Sequence, residues 1–301
     1  MKCRSLVRMI CVGLYIVLLS ACVRQAPLIA VPDIPPVPKV IPQHLDVALV
    51  LGGGGARGYA HLGVLHVLEK AGVPVDLMSG CSVGSVVGSL YADHPDAAWV
   101  YQVMMKATFW DFADIGSILS GAGMMSGDHL QQFLLNNEKA KTFEKLKIPF
   151  MVAATDLYTG ATIPLQSGPI APAVTASAAV PGVVHPQYLY HRTLVDGGVG
   201  DPVPVDLVKR YHPKYIIAVN IGEDLMDRMP QTSLGIYNRS YTIIWSRLSE
   251  LNQAGADTVI YPAVGKSGTF DLSKREDMYQ AGVVAAQKAL PGILKQLKAR
   301  G

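Results

Sequence analysis

Two short apolar runs, each followed by a glycine-rich turn and a helical pattern, constrain the fold of this chain more than any other feature. The run Val47–Leu51 precedes GGGGARG, and a run from about Val75 to Ser79 precedes GCSVG. Short apolar runs bounded by turns are typical of strands buried in a parallel sheet. Two strand–turn–helix units in series favour an α/β fold, so we predict a single three-layer α/β/α domain with a mainly parallel central sheet.

Four later segments also predict strands, and a helix rich in Ala, Leu and Lys ends the chain. The strands are expected near residues 148–157, 193–198, 215–222 and 256–264. The segment from Trp99 to Phe143 is helical in tendency and carries many aromatic and methionine side chains. Two interpretations of that segment stay open: ordinary core packing, which such stripes more often reflect, or a lid or channel for an acyl chain.

The N-terminal segment is typical of a secreted protein. A basic start, MKCRSLVR, precedes about eleven apolar residues, which are too few to span a bilayer as a helix. The LSAC that follows resembles the lipobox of bacterial lipoproteins, which implies cleavage before Cys22 and lipid on that cysteine. Val23 after it implies sorting to the outer membrane, with the protein facing the periplasm or the cell surface and attached through its lipid anchor. A plain signal peptide with a chance cysteine is the alternative.

We therefore predict three segments. Residues 1–21 form the signal peptide, and residues 22–44 form a tether that carries the lipidated Cys22. Six prolines follow that cysteine within the tether and favour an extended, semi-rigid chain. Residues 45–301 form the α/β domain.

Charge and cysteine usage exclude several functions. Without the three cations of the signal peptide, 26 − 3 = 23 basic residues face 23 acidic ones. A formally neutral chain lacks the net basic face that nucleic acids require, so no nucleic-acid partner is expected. Cys81 is the one cysteine left after loss of the signal peptide and lipidation of Cys22, which rules out a disulfide or a thiolate metal cluster. We expect no metal and no cofactor, and the oligomeric state stays open.

The GCSVG turn is typical of a nucleophile at a sharp strand-to-helix connection. Small residues around Ser82 allow a strained turn, and the helix that follows directs free N–H groups at the reacting oxygen. An ordinary α/β-hydrolase fits poorly, because several strands precede the nucleophile in that fold and only about 35 residues separate Leu45 from Gly80. Both glycine turns are expected at one edge of the sheet, where ligands bind.

The GGGGARG turn is suited to binding an oxyanion. Its glycines expose backbone N–H groups before a helix N-terminus, and Arg57 could add charge or pair structurally. The same turn also satisfies a dinucleotide-binding pattern, so a nucleotide-binding enzyme is an alternative. That pattern requires an acid at the tip of the second strand, whereas Asp76 comes too early and GCSVG occupies the tip.

The general base is the less obvious residue. No histidine after Ser82 stands in a sequence context typical of a catalytic loop; these are His94, His129, His185, His191 and His212. Asp196 ends an apolar strand in TLVDGG, before two glycines that allow close approach of another backbone. If that turn faces Ser82, its carboxylate can accept the hydroxyl proton directly. The alternative is an aspartate that only caps a turn.

Together, G-G-G-G-x-R-G, G-x-S-x-G and D-G-G, in that order, resemble the patatin-like phospholipase family. The resemblance covers about Leu45 to Pro262 and includes ASAAVP before the D-G-G strand. It implies a lipid acyl hydrolase of the phospholipase A, lysophospholipase or esterase type that uses a Ser–Asp dyad. The residues carried over are the nucleophile Ser82, the base Asp196, and an oxyanion hole from Gly53, Gly54 and Gly55 with Arg57 nearby.

Two positions depart from the family pattern. Cys81 stands where relatives often carry threonine, and we interpret it as packing. Asp201 stands where many relatives have asparagine, and its charge is expected to raise the pKa of one of the two carboxyls, Asp196 or its own. The alternative function is a catalytically silent lipid-binding membrane lipoprotein.

Overall fold

The computed structural model describes residues 28–114, 123–222, 229–265 and 271–300. The chain divides into two compact units, residues 1–30 and 31–301. Within the described part of the second unit, eight strands form one sheet. They are β1 Val47–Leu51, β2 Leu77–Cys81, β3 Phe150–Asp156, β4 Thr162–Leu165, β5 Gln187–Leu189, β6 Arg192–Asp196, β7 Tyr215–Val219 and β8 Thr258–Ile260.

The sheet is mixed with a parallel centre, which confirms the predicted fold class. Its order is β5-β6-β3-β2-β1-β7-β8, with β4 paired to β3 outside this path. The strands β3, β2, β1, β7 and β8 run parallel, whereas β4, β5 and β6 add antiparallel pairs at one side. The five predicted strands beyond Val47–Leu51 are present with shorter or shifted bounds. The second was expected from about Val75 to Ser79 but lies two residues later, because pairing with β3 continues to Cys81.

Eight α-helices in the described residues connect and flank the strands. They are α1 Tyr59–Lys70, α2 Val83–Asp93, α3 Ala97–Lys106, α4 Asp128–Asn137, α5 Ile170–Ser177, α6 Val205–Lys209, α7 Ser233–Asn252 and α8 Arg275–Arg300. No helix of the described ranges is both long enough and apolar enough to cross a bilayer.

The layers follow from the alternation of side chains along β1. Ala48 and Val50 belong to a core cluster with Val205 and Val208 of α6 on one face. Leu51 reaches Gly88 of α2 on the other face. The sheet is therefore covered on both sides, which explains why its central strands are continuous apolar runs.

One edge of β3 positions the turns that follow β2 and β6. Its N-terminal part pairs with β2 up to the register Cys81↔Ala153, and the next residue, Ala154, pairs with Asp196 of β6. Strand β4 occupies the opposite edge of β3 over the same residues, so β6 must continue the line of β2. The ends of β2 and β6 consequently meet.

The predicted signal peptide, residues 1–21, and the predicted lipidation site, Cys22, lie outside the described residues. From Val31 to His44 the chain has neither helix nor strand. Lys39 Nζ donates to the carbonyl oxygen of Leu146 at 2.7 Å, and Ile41 packs against the core cluster. The last part of the proline-rich segment thus lies against the domain.

Candidate active site

Ser82 lies on a strained turn between β2 and α2. Its backbone has φ 53° and ψ −124°, a region that residues other than glycine rarely adopt, and it forms the N-cap of α2. The following Gly84 brings the helix very close to β1, since a Cβ there would lie 2.1 Å from the Leu51 carbonyl oxygen. The glycine after the serine is therefore required by packing, and the turn holds the hydroxyl in one place.

Asp196 contacts Ser82 directly. The Ser82 hydroxyl donates to Asp196 Oδ2 at 2.7 Å, so no imidazole lies between them. The other carboxylate oxygen, Oδ1, accepts from the Gly198 amide at 2.8 Å and faces Cys81 Sγ at 3.9 Å. Both carboxylate oxygens are thus held, and one accepts a hydrogen bond from the Ser82 hydroxyl.

Burial sets the basicity of this pair. Ser82 is 6% exposed and Asp196 is fully buried. Loss of water raises the pKa of Asp196 to about 6, although hydrogen bonds from Ser82, Gly198 and Cys81 oppose the rise. A carboxylate with that pKa is mostly ionised at neutral pH, yet it is more basic than an ordinary aspartate and better suited to accept a hydroxyl proton.

The glycine loop presents two unoccupied amides. The Gly52 amide donates to the Val219 carbonyl oxygen at 3.0 Å, and the Gly53 amide donates to the Pro202 carbonyl oxygen at 2.9 Å. These two bonds hold the loop against neighbouring segments of the same chain. In the described residues no acceptor receives the amides of Gly54 and Gly55. These two N–H groups are therefore the loop donors left for a further acceptor, and Gly55 adopts φ 58°.

Arg57 and His61 support the loop from behind. Arg57 is buried, and its Nε donates to the Ile221 carbonyl oxygen at 2.9 Å. His61 Nε2 donates to the Gly52 carbonyl oxygen at 2.8 Å, and burial lowers the pKa of this histidine to about 4, so its ring is neutral. Sequence reasoning missed His61 because a histidine inside a helix carries no motif.

Cys81 and Asp201 are both buried near the Ser82–Asp196 pair. Burial raises the pKa of the Cys81 thiol, and the charges of Asp196 and Asp201 raise it further, so the thiol stays protonated. Burial, followed by the charge of Asp206, raises the pKa of Asp201 to about 7. Both carboxyl pKa values are raised, but the cause is burial and, for Asp201, the charge of Asp206, not the mutual repulsion of Asp196 and Asp201 that the sequence predicted.

Ser177 of α5 contacts the turn that carries Ser82. The Ser82 amide donates to Ser177 Oγ at 2.9 Å, and Ser177 is fully buried. The resemblance had placed the ASAAVP segment near the D-G-G strand without giving this serine a role. The contact holds the backbone amide of the strained turn.

The aromatic segment that left two interpretations open is partly described. Met104 and Phe133 are buried, whereas Trp110 is exposed, and residues 115–122 lie outside the described ranges. A cavity of about 510 Å³ opens between α3 and α4 and is lined by residues that include Trp99, Trp110, Lys106 and His129. In the described residues, no group of three His, Cys, Asp or Glu side chains could hold a metal ion.

Curated relatives match more than half of the chain. An uncharacterized NTE family protein of Mycobacterium bovis is 35% identical over 58% of this chain and 49% of its own length. The patatin-like phospholipase domain-containing protein 6 of Homo sapiens is 32% identical over 67% of this chain and 15% of its own length. The chain thus spans about half the length of the first relative and much less of the second.

A fold comparison and a family comparison agree. The crystal structure of VipD from Legionella pneumophila has a similar fold, with a TM-score of 0.54 at 13% identity over 92% of this chain and 72% of that chain. Residues 49–209, more than half of the sequence, match the family model described as patatin-like phospholipase. That span includes the glycine loop, the Ser82 turn and the Asp196 turn, and the chain belongs to the patatin-like phospholipase family.

Proposed function

We propose that the protein hydrolyses acyl esters of lipids with a Ser82–Asp196 dyad, as a phospholipase A, lysophospholipase or esterase. The hydrogen bond of 2.7 Å between Ser82 Oγ and Asp196 Oδ2 carries this proposal. Support for a lipid substrate comes from family membership and from the names of relatives, which include a lysophospholipase of Neurospora crassa that is 28% identical over 83% of this chain and 18% of its own length.

Acylation begins with attack of Ser82 Oγ on the ester carbonyl carbon. Asp196 Oδ2 takes the hydroxyl proton, and the amides of Gly54 and Gly55 bind the oxyanion of the tetrahedral intermediate. When that intermediate collapses, the C–O bond to the alcohol breaks and the alcohol leaves with the proton from Asp196. Loss of one such oxyanion donor typically costs about 10²-fold or more in rate.

Deacylation repeats the sequence with water. Asp196 accepts a proton from the water that attacks the acyl-enzyme, and Ser82 leaves as the free hydroxyl when the fatty acid is released. Arg57 supports the loop through Ile221, and Gly53 adds a third donor only if its amide leaves Pro202. The chain needs no histidine for either half of the reaction.

We also propose that Cys22 carries lipid and attaches the protein to the outer membrane, facing the periplasm or the cell surface. The lipobox-like LSAC sequence supports this attachment. Metabolic labelling with a palmitate analogue tests it, because Cys22→Ser should abolish incorporation. Label retained in that variant would contradict lipidation at this residue.

The function is tested by mass-spectrometric profiling of products from a mixed lipid extract. The wild-type protein should release fatty acids, whereas Ser82→Ala should release none while its thermal unfolding stays similar. The buried position of Ser82 favours a second candidate, a silent lipid-binding lipoprotein. A fluorophosphonate probe separates the two, because a silent binder leaves Ser82 unmodified.

A further inference from the structure

Helix α7 lies directly over the proposed dyad. A methyl group placed on Gly198, next to Asp196, would lie 1.8 Å from the Trp245 ring, and one placed on Gly53 would lie 2.8 Å from it. Tyr241, one turn earlier, has its ring 5.9 Å from that of Trp245. The indole therefore occupies the space above the glycine loop and the D-G-G turn, which an ester must enter.

The face of α7 that covers the site has several buried polar atoms without hydrogen-bond partners in the described residues. Four of its side chains, spaced along one side of the helix, have buried polar atoms with no hydrogen-bond partner in the described residues. They are Tyr241 Oη, Trp245 Nε1, Ser249 Oγ and Asn252 Oδ1. Unpaired buried polar atoms cost free energy, so the closed position of α7 carries a cost that exposure of these atoms to water would relieve.

A flank of α7 next to the covering face exposes an apolar stripe. Tyr237, Ile244 and Leu251 are seven residues apart and are 66%, 57% and 71% exposed. Positions seven apart lie on the same side of a helix, so the three side chains form one row. Exposed apolar rows on a covering helix mark an interaction surface. Arg247 stands between Ile244 and Leu251 on the same side, and it is also exposed.

We propose that this stripe, Tyr237–Ile244–Leu251, docks onto an anionic lipid bilayer and that docking withdraws Trp245 from the dyad. The inference rests on the proposed function, because the surface that takes the stripe is then the one that holds the substrate ester. Charge supports the same occupant, since α7 carries two arginines, Arg239 and Arg247, against one acid, Glu250. Helices with an apolar face and flanking arginines lie in anionic membrane interfaces, and tyrosine favours that depth.

The test measures how fast a fluorophosphonate labels Ser82 in the full chain, with and without vesicles of dialkyl ether phosphatidylglycerol, which the enzyme cannot hydrolyse. Vesicles should accelerate labelling by up to about tenfold, as expected when an open state that is roughly 10% populated becomes dominant. The triple variant Tyr237→Ser, Ile244→Ser, Leu251→Ser should lose that acceleration. Val284→Ser, which removes an exposed apolar side chain from α8, is the matched control and should keep it. All variants carry the same N-terminal segment, so any membrane attachment through that segment affects their labelling rates equally.

Trp245→Ala gives a second readout. It should label faster than wild type without vesicles, with the ratio of the two rates falling towards one. Equal labelling with and without vesicles in the wild type would overturn the proposal, while continued ester hydrolysis would leave the proposed function standing. If the triple variant instead converts a dimer into a monomer by light scattering and vesicles have no effect, the stripe binds a second copy and the lipid proposal is wrong. Absence of both labelling and hydrolysis would contradict the proposed function itself.

Discussion

Beneath the proposed dyad, several backbone amides of the turns bind neighbouring segments, whereas the helix above it has four buried side-chain polar atoms without partners in the described residues. The Gly52 and Gly53 amides bind carbonyl oxygens of neighbouring segments, and the Ser82 amide binds Ser177. We call these turns the floor and α7 the cover. Catalysis needs donors and nucleophile fixed before the substrate arrives, while entry of the substrate needs an element that moves at low cost. The difference assigns geometry to the floor and access to the cover.

Removing either member of the dyad should have the largest effect. Ser82→Ala and Asp196→Asn should each lower kcat on a soluble chromogenic ester by about 10⁴-fold or more, because both act in the same proton transfer. Asp206→Asn, at an exposed aspartate of α6, and Ser240→Ala, at an exposed serine of α7, are the matched controls and should stay near wild type. An Asp196→Asn variant with near-normal turnover would rule out the direct Ser–Asp mechanism.

A methyl group in the floor should destabilise the fold. In Gly84→Ala the new Cβ meets the Leu51 carbonyl oxygen, and urea unfolding should show a loss of about 3 kcal/mol. Gly292→Ala is the control, because a Cβ there meets nothing within 4 Å in helix α8. It should stabilise by about 0.5–1 kcal/mol, since alanine favours helix over glycine. Equal effects of the two substitutions would mean that the floor tolerates movement.

The ionisation of Asp196 should control the acid side of the pH–rate profile. The reaction needs the carboxylate form, and the pKa is about 6, so kcat/KM should fall about tenfold for each pH unit below that value. Asp201→Asn is the control and should leave this limb in place. If the acid limb of the kcat/KM profile disappears in Asp201→Asn, the ionisation of Asp201, and not that of Asp196, controls the rate.

The same shift makes stability depend on pH. Because the folded-state pKa of Asp196 lies above its unfolded value of 3.8, ionisation costs the folded state and stability falls as pH rises from about 4 to 6. Asp196→Asn should make this dependence less steep, which urea titrations at several pH values would detect; the raised pKa values of Asp201 and Glu138 maintain the remainder. An unchanged slope in the variant would contradict the burial argument.

The smallest effect is expected at the support of the nucleophile. Ser177→Ala leaves the Ser82 amide buried and unpaired, which should lower kcat about fivefold to tenfold with little change in KM. Ser89→Ala removes another buried serine hydroxyl, which donates to Val86 O within α2, and should not change kcat comparably. A change in KM alone would show that Ser177 shapes substrate binding instead.

The sequence predicts the floor better than the cover because the floor is built from local patterns. Apolar runs before glycine turns predict β1 and β2, and their parallel pairing brings both turns to one edge. Ser82 meets Asp196 because one edge of β3 pairs first with β2 and then, from Ala154 onward, with β6. No local pattern predicts that exchange, so the pairing followed from the resemblance of three motifs.

The cover could not be predicted in the same way. Trp245 packs against Gly53 and Gly198, which lie about 190 and about 50 residues earlier in the sequence. Contacts between residues so far apart leave no spacing pattern in a single sequence. The heptad row on α7 is visible in the sequence, but a row of that kind fits a buried face equally well. Which side of the helix meets water is decided by the tertiary structure.

The most direct test of the Ser82–Asp196 mechanism is to trap the acyl-enzyme by acid quenching during turnover of a chromogenic ester and to locate the acyl group by tandem mass spectrometry. The fragments must separate Ser82 from the adjacent Cys81. An acyl group on Ser82, absent in Ser82→Ala and greatly reduced in Asp196→Asn, is the predicted result. An acyl group on Cys81, or its undiminished formation without the Asp196 carboxylate, would contradict the mechanism.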